Sequence, residues 1–172
     1  MTSAADPLTL VLVGPMAAGK TSVGRRVARR LGVAFIDTDK RIVAAHGPIP
    51  AIFEEHGEAH FRALECAAVA EALSEGGVIS LGGGAVTEAA TRDLLAEHPV
   101  VFLTVSPDAV ADRLRGSNRP LLAGEDPLER WKKIFEERRG WYAEVSSATF
   151  DTSRRPMQKI ADEIVAWRRE QR

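Results

Sequence analysis

The run Gly14-Pro15-Met16-Ala17-Ala18-Gly19-Lys20-Thr21 fits the spacing G-x-x-x-x-G-K-[ST] and directly follows an apolar stretch, Leu8 to Val13. That combination is the signature of a loop that wraps phosphate groups. A buried strand that turns sharply into a helix leaves successive N–H groups, here along Gly14, Ala17, Ala18 and Gly19, directed at phosphate oxygens, and the helix dipole adds positive potential. Lys20 supplies a full charge. Thr21, with Ser22 beside it on the first helical turn, places a hydroxyl where it can ligate a Mg²⁺ bridging the terminal phosphates of a nucleotide. The dinucleotide fingerprint needs Gly-x-Gly after the strand, and Met16 occupies the second glycine position, which disfavours that alternative.

Such a loop needs a sheet to hold it. Helical periodicity from Lys20 to Leu31 places Val23, Val27 and Leu31 on one face, and Gly32 is the expected stop. Strands are expected at Val33–Ile36, Gly77–Leu81, Val100–Val105 and Ala148–Asp151. Helices are expected at Glu58–Ser74, near Thr87–Glu97 and at Pro156–Arg169, with short helical pieces between Arg41 and Glu55 around Gly47-Pro48-Ile49-Pro50. Alternating strands and helices imply a three-layer α/β/α fold on a mostly parallel, five-stranded sheet, in one domain spanning 1–172. Ligands of such sheets gather at the carboxyl ends of the strands, where Asp37, Asp39, the Gly82–Gly84 turn and the phosphate loop all fall. Arg115 to Gly124 combines arginines, glycines and a proline where no element can continue, and reads as a lid over about 113–125.

The composition excludes several classes. Lys plus Arg number 23 against 24 Asp plus Glu, a net charge of −1, which gives no electrostatic case for nucleic acid or an anionic membrane as partner. The single Cys66 rules out an internal disulfide and a multi-cysteine zinc site, and reads as a small core residue. His56 and His60 stand four apart with no evident third ligand. Trp131, Trp141 and Trp167 read as packing residues of amphipathic helices. The first residues lack a basic leader pattern and no apolar run is long enough to span a bilayer, so a cytoplasmic enzyme is expected.

Six blocks occur in order: the phosphate loop, Asp37-Thr38-Asp39, Phe61-Arg62-Ala63-Leu64-Glu65, Leu81-Gly82-Gly83-Gly84-Ala85-Val86, Arg119-Pro120-Leu121-Leu122 and Arg138-Arg139-Gly140-Trp141-Tyr142. Over roughly residues 8 to 165 the chain resembles the shikimate kinase family. The resemblance implies a nucleoside-monophosphate-kinase-like fold that transfers the γ-phosphoryl of ATP to the 3-hydroxyl of shikimate, on the route to chorismate and the aromatic amino acids, with Mg²⁺ and as a monomer. A substrate with one carboxylate and vicinal hydroxyls needs a cationic clamp, a carboxylate to orient a hydroxyl, and close backbone approach.

By the same resemblance, Arg62 and Arg138 bind the carboxylate, and Asp39 holds the reacting hydroxyl, as an orienting group first and a base second. Gly83 and Gly84 approach the substrate, and Phe53, Phe61, Pro120 and Leu121 form apolar walls in and beyond an acceptor segment of about 37–65. Asp37 partners the metal with Thr21. Lys20 and the lid's Arg119 stabilise the transferring group. Arg113, in preference to Arg115, lies against adenine, with Arg155 a second contact. Each has a plainer reading: Arg62 can pair with Glu58 or Glu65, Asp39 can cap a helix, and the glycines can form only a turn. Many family members carry glycine where this chain has Ala17, and a methyl group there is costly if φ is positive. Trp141 stands where leucine is frequent. The alternatives are a kinase of gluconate or of a nucleoside monophosphate, and a ligand-sensing module without turnover.

Overall fold

The computed structural model describes residues 8–115 and 126–172. Arg119, Pro120, Leu121 and most of the expected lid lie outside the described residues. Five strands form a parallel sheet in the order β2-β3-β1-β4-β5: β1 Thr9–Val13, β2 Phe35–Asp37, β3 Gly77–Ser80, β4 Val100–Thr104 and β5 Ala148–Asp151. The three inner strands are almost wholly buried because helices cover both faces, which is why each reads as an apolar run. Side chains alternate between the two layers. Leu10 and Leu12 of β1 face α1 (Lys20–Leu31) and α8 (Met157–Glu170) through Val23, Val27, Ile160 and Ile164. Val11 and Val13 face α4 (Glu58–Glu75), α5 (Ala89–Leu95) and α7 (Pro127–Val145) through Val69, Leu95 and Tyr142. A third cluster, Ile42, Ile52 and Phe61, joins α2 (Thr38–His46) and α3 (Ile49–His56) to α4. The remaining helix, α6, spans Pro107–Arg115.

The differences from the sequence reading have local causes. β2 begins at Phe35, because the Val33 N–H is taken by Ala28 O at 3.0 Å as α1 closes on Gly32. The strand runs one residue further, pairing Asp37 with Ser80. The expected helix near Thr87 splits into a 3₁₀ turn at Ala85–Thr87 and the short α5, with the Thr87 hydroxyl donating to Gly84 O at 2.7 Å and Glu88 in extended conformation between them. Cys66 is only half-buried. The buried face of α4 instead carries Phe61, Arg62, Glu65, Val69 and Ala72, so a carboxylate occupies the interior position.

Candidate active site

The carboxyl ends of β1, β2 and β3 open into one cleft of about 950 Å³, lined by the phosphate loop, Asp37, Asp39, Ser80 to Gly83 and the inner face of α7, including Trp131, Phe135 and Arg138. On one side, Lys20 Nζ donates to Gly14 O at 2.7 Å and Pro15 O at 2.9 Å. Gly19 precedes α1 with φ 87°, and Ala17 has φ 68°. A Cβ in this left-handed region costs about 1 kcal/mol or more, so the alanine sits in a conformation that a glycine would hold without strain. Thr21 and Ser22 line the cleft with Ala17 and Gly19, whereas Ala18 is fully buried.

On the opposite side, Asp37 caps α2, its Oδ1 accepting from Lys40 N at 3.1 Å. Thr38 is buried and donates to Ser80 O at 3.3 Å, which fixes the first turn of α2 against β3. Asp39, in that turn, is therefore not the cap. Its Oδ1 is buried and accepts no hydrogen bond from the described residues. Burial pushes the Asp39 carboxyl above its ordinary range and Asp37 adds to the rise, while Lys20 and Arg62 oppose it.

Arg62 is buried against Phe61 and pairs with Glu65 at 2.8 Å and Glu58 at 3.5 Å. Its plainer reading is thus real, and Arg62 Nε, which faces Glu58 at 3.5 Å, makes no hydrogen bond to the described residues. Gly84 packs directly on this guanidinium, and a Cβ on Gly82 would lie 2.6 Å from Asp39 Oδ1. Neither position has room for a side chain. Gly83 faces both halves of the cleft, since a Cβ there would lie 3.6 Å from Met16 N and 3.7 Å from Arg138 Nη1. Tyr142 donates to Gly83 O at 2.5 Å, and burial raises its hydroxyl to about 12.

Lys20, Thr21, Asp37, Asp39, Gly83 and Arg138 are thereby brought around one cavity, and Arg62 and Gly84 lie directly behind its acceptor wall. Phe53 and Phe61 pack with tilted rings, centroids 4.8 Å apart, in the satellite cluster beneath Arg62 and do not line the cleft. Arg113 donates to Ala17 O at 2.6 Å and to Thr152 O. Arg115 pairs with Asp112, and Arg155 is an exposed partner of Glu163 away from the lining. Sequence reasoning named Glu65 only as an ion-pair partner for Arg62, which it is, and gave no role to Tyr142. Glu65 is 1 % exposed, and burial lifts its carboxyl to about 7 against the opposing pull of Arg62. Its only signal was an acidic residue on the apolar face of a helix, three positions after Arg62.

A parallel sheet with a phosphate loop after its central strand, facing carboxylates and arginines across a shared cleft, defines a phosphate-loop kinase of small molecules. The sequence profile described as shikimate kinase matches residues 16–169. The chain belongs to the shikimate kinase family, whose members transfer phosphate from ATP to shikimate. It is 45% identical over 158 residues to the shikimate kinase of Corynebacterium efficiens, covering 91% of this chain and 94% of that one. Among solved structures, the Acinetobacter baumannii shikimate kinase in complex with shikimate superposes with a TM-score of 0.87 at 36% identity, over 96% of this chain and 95% of that one. A gluconokinase from Sinorhizobium meliloti gives a TM-score of 0.67 at 25% identity, over 96% of this chain and 94% of that one. The expected three-layer parallel fold is the one observed. Among the described residues no helix is long and apolar enough to cross a membrane.

Proposed function

We propose that the phosphate loop and Lys20 receive the ATP phosphates, and that Asp39, Arg62 and Arg138 receive shikimate, for transfer of the γ-phosphoryl to the 3-hydroxyl. The observation that carries this reading is Asp39 Oδ1, a buried acceptor to which none of the described residues donates, at the boundary between the two halves. A substrate hydroxyl supplies the missing donor and is thereby aimed at the phosphate loop. The shikimate carboxylate meets Arg138 and the inner edge of Arg62, with close approach permitted by Gly83 and Gly84. Phe53 and Phe61 act beneath Arg62 as support.

Phosphoryl transfer through a loose transition state depends mainly on alignment and charge neutralisation. Lys20 supplies charge at the loop, and Asp39 orients the hydroxyl and, with its raised affinity for protons, takes up the proton released there. Thr21 and Asp37 line the same cleft and offer hard oxygen donors suited to Mg²⁺, which usually keeps several waters and arrives with phosphate ligands. Held by these residues, that ion would offset the charge of the phosphates. Arg119, Pro120 and Leu121 enter this reading on the family resemblance alone, as does Arg155 as an adenine contact. A monomer in the cytoplasm is consistent with the same resemblance. Asp39→Asn is expected to lower turnover by about 10²- to 10⁴-fold with Mg·ATP binding near normal. Loss of ATP binding in that variant, with shikimate binding intact, would contradict the assignment.

A further inference from the structure

Every carbonyl from Gly14 to Ala18 is held by a donor, and three of those donors come from distant segments. Trp131 Nε1 on α7 donates to Met16 O at 2.8 Å. Arg113 on α6 donates to Ala17 O at 2.6 Å, and the Thr152 hydroxyl, just after β5, donates to Ala18 O at 2.7 Å. The three donors are themselves anchored. Trp131 is 3 % exposed and stacks on Phe135 at 5.1 Å, and Thr152 is fully buried and accepts from Arg113 Nη1 at 3.4 Å.

We propose that Trp131, Arg113 and Thr152 are positioning residues that impose the phosphate-binding shape of the loop from outside. In a trans peptide unit the C=O and the following N–H point in opposite directions. Fixing the carbonyls of residues 16, 17 and 18 to the surrounding segments therefore turns the N–H groups of residues 17 and 19 toward the cleft that Ala17 and Gly19 line, and sets the Ala18 N–H across the loop onto Pro15 O at 3.3 Å. The loop's own sequence does not enforce this shape, because Ala17 resists its φ of 68°. The external hydrogen bonds offset that resistance. Arg113 thus acts on the nucleotide through Ala17 O, a role separate from any contact with the base.

The inference rests on the loop being the ATP phosphate site, so Lys20→Met serves as the control. The test compares KM for Mg·ATP, Mg·GTP and shikimate, and Mg·ADP binding by calorimetry, in Trp131→Phe, Thr152→Val and Arg113→Gln, each with Ala17 and with Ala17→Gly. Trp131→Phe keeps an aromatic ring, though a smaller one, and removes the N–H. Loss of one such hydrogen bond is expected to raise KM for Mg·ATP and weaken Mg·ADP about three- to ten-fold, with shikimate KM within about two-fold. Arg113→Gln is expected to weaken ATP and GTP equally, and Ala17→Gly is expected to shrink every penalty. Unchanged nucleotide binding, equal shifts in both substrates, or penalties undiminished by Ala17→Gly would overturn the proposal. Normal nucleotide binding in Lys20→Met would overturn the loop assignment and the brace together, whereas a defect there with none in Trp131→Phe would remove only the brace.

Discussion

The two walls of the cleft are built on different principles. The proposed nucleotide wall is one contiguous run, Gly14 to Thr21, which would bind through backbone amides and whose carbonyls are held by hydrogen bonds. The acceptor wall gathers single side chains from α2, α4, the turn after β3, and α7, and several of them are charges taken out of water. A contiguous amide cradle tolerates loss of one member, because each contributes a modest hydrogen bond. A buried charge network does not, since removing one partner strands another. Substitutions on the acceptor wall are therefore expected to disturb stability and substrate binding together, and those on the nucleotide wall to act on nucleotide binding with less effect on stability.

Arg62→Ala gives the largest contrast. It leaves Glu65 buried without its partner, so the fold is expected to lose about 3 kcal/mol at pH 8 and less at pH 6, where the Glu65 carboxyl takes up a proton. Shikimate KM is expected to rise at least about tenfold with Mg·ATP KM unchanged. Chemical denaturation and steady-state kinetics check both, and the double variant with Glu65→Gln should recover stability without recovering shikimate KM. Unchanged shikimate KM in Arg62→Ala would remove this side chain from the acceptor site.

Glu65 predicts an intermediate effect that depends on pH. Its carboxyl titrates near 7 in the folded chain and near 4.5 in the unfolded one. Between those values the folded state holds a proton that the unfolded state has released, so this group's contribution to stability falls as pH rises through the window. Thermal unfolding should show Glu65→Gln losing less stability than the parent between pH 5 and pH 7, and parallel profiles would show that Glu65 is not the buried titrating group. The smallest effect belongs to Tyr142→Phe, which removes the hydrogen bond to Gly83 O and the hydroxyl's contact with Arg138. About 1 kcal/mol is expected, seen as a several-fold rise in shikimate KM; an equal rise for Mg·ATP would break the separation between the walls.

The same contrast governs what the sequence could reveal. The phosphate loop and the buried strands were legible because each is a local pattern, a fixed spacing or an apolar run. Asp39, Arg62 and Arg138 carry no local pattern that distinguishes them from surface charges, and only their order along the chain as a family resemblance suggested a shared site. Helices α6 and α7 were poorly marked because charged residues interrupt their apolar face, and their roles reach far along the chain. Trp131 read as a packing residue, which its burial bears out, but the carbonyl it binds lies 115 residues away, a partnership that no periodicity encodes. Ala17 shows the opposite case. Its cost was conditional on a backbone angle, and φ of 68° supplies the condition.

The central claim, that this cleft joins ATP to shikimate, is tested most directly by a coupled ADP-release assay with Mg·ATP, run with shikimate, gluconate and CMP as parallel acceptors and with direct detection of the phosphorylated product. ADP release that depends on shikimate and matches the phosphoshikimate formed, with gluconate and CMP near background, is the predicted result. Silence with shikimate in a preparation that binds ATP, or faster turnover of gluconate, would contradict it.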